Sequence, residues 1–378
     1  MKKPIEPHVS NLMDSLRGVS ALIVAFAHAF QIFCLPYFGL YGFPHLFTSA
    51  LATYAVVVFF IVSGFMIFLS VENHSDKFGF KVLEFFKARL IRIYPPLILS
   101  LVICIAVYQI MTRFNINGAE SFRLGGELYL AREKVSFEWG SFISTLLLIY
   151  NIIPNAPPAL LINGPLWTLS YEWWFYLLTM FIVNAISNKK IVCWLPVIII
   201  AIFFFLAGSL LWKLLLIWCS GYFLGYLYKS KKLYRKTFDR IIYLSIVLCI
   251  ICIFLIGKSN TFLCLAEPLQ RYGKDGATIM MFVGLILTAI IGLVISQQIN
   301  LNFLRKTARY SYTLYLIHFP IFLIMFGLLH EYLIHYSWKL SLLVGIFSTL
   351  IAIAVAYKFS LLVENRQLMD KYLKRLFH

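Results

Sequence analysis

Long apolar runs separated by short polar clusters dominate this chain. A run of roughly 18 or more apolar residues is long enough to cross a bilayer as a helix. The pattern predicts ten such spans, at 14–35, 46–70, 94–112, 165–187, 191–209, 211–228, 241–257, 277–296, 309–329 and 339–363. The fold class this implies is all-α, a polytopic membrane protein of about ten transmembrane helices. A membrane β-barrel would show short alternating segments instead. Residues 77–93 alternate basic and apolar side chains at helical spacing, which predicts an amphipathic helix on the inner surface. Tyr94-Pro95-Pro96 would then open the third span, where proline is tolerated. Residues 113–164 form the longest polar connection, and within it Phe137 to Tyr150 predicts a short helix dipping into the bilayer. No internal repeat stands out, and no polar stretch is long enough for a second soluble core, so residues 1–378 read as one transmembrane domain.

Composition sharpens this picture. Of 378 residues, 61% are hydrophobic and only 13% charged, too apolar for a soluble core. The net charge of +17 raises nucleic acid as a partner. In a membrane chain, however, the position of the cations matters more, because cytoplasmic loops collect Lys and Arg. With both termini inside, inner segments hold 22 Lys and Arg and outer segments 9, with Arg17 and Lys358 inside spans. This excess predicts cytoplasmic termini. Met1-Lys-Lys followed by an apolar run resembles a signal peptide only superficially, since Arg17 and His28 interrupt the run; it reads as an uncleaved first span. Most of the seven cysteines fall in apolar stretches. Cys249 and Cys252 form a CxxC with no nearby histidine or acid, better read as packed small residues than as a metal site.

Candidate chemistry lies where ionisable residues interrupt the spans, because such groups are expensive in a bilayer. In the first span, the eleven-residue step from Arg17 to His28 turns the helix through about 1,100°, so both side chains point nearly the same way, roughly 16 Å apart along the axis. The plain alternative for His28 is a packing contact with a neighbouring helix. Glu172 lies about two turns into the fourth span. Measured from opposite faces, His28 and Glu172 reach comparable depths, about 20 Å and 10 Å along their helices. The aromatics around Glu172 suit an interfacial belt, although Trp167 and Tyr171 also suit a sugar-stacking wall. In the ninth span Tyr312 precedes His318, and Pro320 frees a carbonyl earlier in the helix and invites a kink. Arg89 and Arg92 stand one turn apart at the inner surface, near the small-residue break Ser63-Gly64. The pair suits either anionic lipid or a phosphorylated cytosolic molecule, since guanidinium forks match phosphate.

Five segments occur in a recognisable order: Asp14-x-x-Arg17-x10-His28, Ser63-Gly64-Phe65, Arg89-x-x-Arg92-Ile-Tyr-Pro95, Gly164-Pro-Leu-Trp-Thr-Leu-Ser-Tyr-Glu172 and Ser311-Tyr-Thr-Leu-Tyr-Leu-Ile-His318. In this order the chain resembles the family-3 membrane acyltransferases, from Asp14 to about Glu364. The resemblance implies a bacterial inner-membrane enzyme that O-acylates surface glycans, among other acceptors, using cytosolic acyl-CoA and usually acetyl-CoA. It implies that His28 is the essential histidine, Arg17 its partner in that motif, Arg89 and Arg92 the paired arginines, and Glu172 the acidic position after Leu-Ser. Many members continue with Glu-Gln where this chain has Trp173-Trp174, which weakens any role resting on a second carboxylate. Some relatives carry an extracytoplasmic esterase-like domain, whereas this chain resembles the stand-alone form.

The mechanism expected from these readings places CoA phosphates on Arg17, Arg89 and Arg92, beside Ser63 and Gly64. His28 is the general base, and Glu172 orients it, stabilises its charged form or binds the acceptor. Trp167, Tyr171, Tyr312 and His318 line the acceptor pocket. A proton-coupled transporter or flippase is the rival class, since buried Arg, His and Glu also describe an ion path. Neither an inverted repeat nor paired broken helices is present in the pattern. A non-catalytic scaffold explains the hydrophobicity and leaves the buried ionisable positions unexplained.

Overall fold

The structure, a computed structural model, describes residues 5–38, 43–77, 79–116, 121–124, 127–130, 135–256, 273–335, 337–365 and 367–371. The described residues form helices α1 (Pro7–Phe38), α2 (Phe43–Asn73), α3 (Val82–Arg113), α4 (Trp139–Leu147), α5 (Trp167–Asn188), α6 (Leu195–Ala207), α7 (Ser209–Lys229), α8 (Arg235–Ile256), α9 (Gly273–Ser296), α10 (Ser311–His335) and α11 (Trp338–Val363). Two small antiparallel hairpins, Ser75–Asp76 with Gly79–Phe80 and Ser121–Leu124 with Glu127–Leu130, sit in the connections. All helices except α4, α5 and α6 are long and apolar enough to cross a membrane, which makes eight. The two remaining predicted spans, 165–187 and 191–209, fall on α5 and α6. At 22 residues α5 is long enough, but Thr168, Ser170, Glu172 and Thr179 dilute its apolarity. The 13 residues of α6 extend only about 20 Å, short of a roughly 30 Å hydrocarbon core.

The first helix is central. It packs against α2, α10 and α11, while α2 also packs on α7, and α10 on α3. Small residues set the closest approaches. A Cβ on Gly64 would lie 2.1 Å from the Trp218 carbonyl oxygen, and one on Gly221 2.0 Å from that of Ile61. The backbones of α2 and α7 therefore touch across these two glycines. Gly64, expected at the donor site, faces this helix–helix contact instead.

The inner-surface helix 77–93 and the span 94–112 prove to be a single element. Residues 82–113 form one 32-residue helix that runs through Pro95 and Pro96. The prolines withdraw the two donors that would reach the carbonyls of Ile91 and Arg92, one turn back, but their fixed φ is helical. Buried side chains on both sides of the break, Phe85, Ile91 and Ile93 before it and Leu97 and Leu101 after it, hold one direction. The short helix expected within 137–150 is α4.

Pro320 lies inside α10, which continues past it. Without its N–H, the carbonyl of Leu316 loses its helical donor. Two buried side chains replace it: Ser100 Oγ donates at 2.7 Å and Asn163 Nδ2 at 2.7 Å. Asn163 leaves the helical region, at φ −143° and ψ 67°, within the 3-10 turn Leu161–Leu166 that leads into α5. One orphaned carbonyl thus ties α3, α10 and the start of α5 together.

Two stability outcomes are expected. Gly64→Ala pushes α2 from α7 and lowers the melting temperature of the detergent-solubilised protein, with a loss of about 1–3 kcal/mol typical of overpacking. Ser100→Ala combined with Asn163→Leu strands the Leu316 carbonyl, at about 1–3 kcal/mol. Melting temperatures equal to that of the parent protein contradict these packing assignments.

Candidate active site

Helices α1, α2, α3, α5 and α10 line most of an open cavity of about 530 Å³. Each contributes polar side chains at predictable helical intervals: Arg17 from α1, Ser63 from α2, Arg89 and Arg92 from α3, Glu172 and Tyr176 from α5, Tyr312 and Tyr315 from α10. On its α5 side, Ser63 Oγ donates to Glu172 Oε1 at 2.8 Å, and the Tyr176 hydroxyl, one turn on from Glu172, donates to the same oxygen. Trp218 Nε1 donates to Ser63 Oγ at 3.2 Å and orients that hydroxyl.

The three guanidiniums are held differently. Arg17 pairs with Asp14, one turn earlier on α1. Arg89 Nη2 donates to Ser70 Oγ at 3.2 Å, and its guanidinium stacks near the rings of Phe85 and Tyr176, at 5.5 and 5.8 Å. Arg92 Nη1 donates to Glu364 Oε2 at 3.2 Å and lies 4.9 Å from the centre of the Tyr312 ring. Glu364, just past the end of α11, accepts through its other oxygen from the Thr313 N–H at 3.0 Å and from Thr313 Oγ1 at 2.7 Å. The first turn of α10 is where exposed N–H groups and the helix dipole favour a carboxylate. Arg17 Nε and the Tyr312 hydroxyl are buried and accept or donate no hydrogen bond among the described residues.

His28 and His318 are not among the residues lining this cavity. They are buried together, 5% and 0% exposed, with His28 Nδ1 2.8 Å from His318 Nε2 and the nearly parallel rings meeting end to end, their centres 5.1 Å apart. Tyr315 connects them to the cavity: it lines the cavity, and its ring lies 6.1 Å from that of His318. Its hydroxyl donates to the Pro165 carbonyl at 2.8 Å and shares a 2.8 Å hydrogen bond with Thr168 Oγ1.

Of the residues singled out from sequence, Arg17, Ser63, Arg89, Arg92, Glu172 and Tyr312 share one cavity, while Gly64, Trp167, Tyr171, His28 and His318 do not line it. Trp167 and Tyr171 pack edge to face at 6.0 Å, and Thr168 takes the cavity position beside them. The pairing of Glu172 with His28 is not made. Glu172 engages Ser63 and Tyr176, whereas His28 engages His318, because α1 packs against α10. Similar depth does not place two residues on facing sides of their helices. Tyr176, Thr168, Tyr315 and Glu364 were not anticipated. The four-residue step from Glu172 to Tyr176 signals the first of these, whereas no local pattern ties Glu364 to Arg92 across 272 residues.

Residues 11–360 match a family described as an acyltransferase domain. An O-acetyl transferase of Shigella phage Sf6 is 27% identical over 183 residues, 48% of this chain and 49% of the phage protein. The chain thus spans about half the length of the curated relative it matches. No solved structure matches. The family match runs from within α1 to within α11 and takes in all five helices around the cavity, so this multi-pass membrane protein belongs to the family-3 acyltransferases.

Proposed function

We propose that the protein is a membrane O-acyltransferase that moves an acyl group, most simply acetyl, from cytosolic acyl-CoA to a hydroxyl of a surface or secreted glycan. The observation that carries this reading is the single cavity that joins three arginines to Tyr315, the neighbour of the His28–His318 pair. The excess of Lys and Arg on segments at the arginine end supports a cytoplasmic face there, with both termini on that side of a bacterial inner membrane.

The phosphates of CoA are matched by guanidinium forks. Arg17, Arg89 and Arg92 supply three of these, and Arg17 Nε and the Tyr312 hydroxyl are buried polar atoms that a ligand oxygen would satisfy. A buried donor without a partner costs about 1–3 kcal/mol, and ligand contact recovers that cost. Ser63, Glu172 and Tyr176 form the polar wall beside the arginines, and Glu364 fixes Arg92 in place. The thioester extends toward Tyr315. There His28 takes the proton of the acceptor hydroxyl as its oxygen bonds to the acyl carbon; the C–S bond breaks, and the CoA thiolate leaves and receives that proton. A neutral imidazole, with a lone pair able to accept a proton, suits general-base work near neutral pH.

Two outcomes test the assignment. His28→Ala is expected to lower acetyl transfer by about 10²–10⁴-fold, the range for loss of a general base, with unchanged protein in the membrane; mass spectrometry of surface glycans reads it, and retained acetylation contradicts the role of His28. Arg89→Ala with Arg92→Ala is expected to weaken acetyl-CoA binding at least about tenfold, from about 1.5–3 kcal/mol for each charge-assisted bond. Calorimetry on the purified variant measures this, and unchanged affinity assigns the pair to lipid anchoring instead.

A further inference from the structure

We propose that His318 is a positioning residue that locks His28 in one tautomer, with Nδ1 protonated and Nε2 carrying the basic lone pair. This rests on the reading of His28 as the base and identifies which of its nitrogens does the work.

The assignment follows from what each atom can donate. His318 Nδ1 lies 2.9 Å from the Leu314 carbonyl oxygen, one turn back on α10. A carbonyl only accepts, so this nitrogen carries a hydrogen. In a neutral imidazole the other nitrogen is then an acceptor. That other nitrogen, His318 Nε2, lies 2.8 Å from His28 Nδ1. The shared proton therefore belongs to His28 Nδ1, and the lone pair of His28 stands on Nε2. The neutral form of His318 suits its setting, since its ring is fully buried among Phe319, Phe322 and Tyr315.

Ring packing fixes the orientation as well. The two imidazoles lie end to end within 20° of parallel, as an in-plane N–H···N bond requires, and Phe319 meets both edge-on, at 88° and 86°. Both nitrogens of His318 are thus committed, one to backbone and one to His28. His318 therefore acts on the base rather than on the acceptor, which revises its expected place in the acceptor pocket. When His28 Nε2 takes the acceptor proton, the Nδ1–H bond to His318 becomes charge-assisted and stabilises the imidazolium. His318 keeps its own proton throughout.

Side-chain reach provides the test. Glutamine sets its amide oxygen about where a histidine Nε2 stands and can accept from His28 Nδ1–H. Asparagine reaches only as far as Nδ1, and phenylalanine accepts nothing. His318→Gln, His318→Asn, His318→Phe and His28→Ala would be purified in lipid nanodiscs and assayed with acetyl-CoA and surface polysaccharide from the producing cells. The expected result is a kcat at least about 100-fold lower for His318→Phe and His318→Asn, in line with the large loss that a wrong tautomer causes. KM for acetyl-CoA stays within about twofold, and His318→Gln keeps kcat within about tenfold of the parent. A His318→Phe variant with parental kcat overturns the proposal, as does a His318→Gln variant as impaired as His318→Asn at equal melting temperature. If the phenylalanine variant does not fold, the glutamine–asparagine pair decides. Activity retained by His28→Ala defeats the base assignment itself, whereas an inactive His28→Ala beside an active His318→Phe defeats only the role given to His318.

Discussion

A polar group sealed among apolar helices is costly without a partner, and that cost shapes this protein. The carbonyl that Pro320 orphans is met by Ser100 and Asn163. Arg92 is met by Glu364, Glu172 by Ser63 and Tyr176, and His28 by His318. Except for Glu172 with Tyr176, which share α5, these pairings cross between elements, so the polar contacts join the helices as well as satisfying one another. Apolar packing among lipid-exposed helices gives little preference for one arrangement, whereas these contacts do.

The same pairings divide the interior into two zones. Near the arginines, partners are carboxylates, hydroxyls and rings around an open volume, which suits a large anionic ligand. Near His28, partners are another imidazole and phenylalanine rings in close packing, which suits a neutral base of defined tautomer. Tyr315 belongs to both, as a cavity wall on one side and a neighbour of His318 on the other. A donor that carries its phosphates at one end and its thioester at the other fits this division. On the proposed reading, the acyl carbon approaches His28 past Tyr315.

Much of this was legible along the chain, because hydropathy and helical spacing are local properties. The run length marked eight of the ten expected spans, and a three-residue step put Arg89 and Arg92 on one face. The order of motifs from Asp14 to His318 pointed to the family. Azimuth was not legible. Depth along a helix said that His28 and Glu172 could be level but not that α1 turns toward α10. The Pro95-Pro96 pair read as a boundary because the sequence shows the lost donors and not the buried contacts on either side that keep α3 whole. Gly64 beside Ser63 read as part of one site, yet adjacent helical residues point about 100° apart, and one faces the cavity while the other meets α7. Glu364 lies at the far end of the chain from its partner, where only the fold could bring them together.

The most direct measurement is an electron cryo-microscopy structure of the protein in lipid nanodiscs with a non-hydrolysable acetyl-CoA analogue. The account predicts phosphates on Arg17, Arg89 and Arg92, and the acyl carbon directed past Tyr315 toward Nε2 of His28. Phosphates bound away from the three arginines, or an acyl group separated from His28 by intact packing, would contradict it.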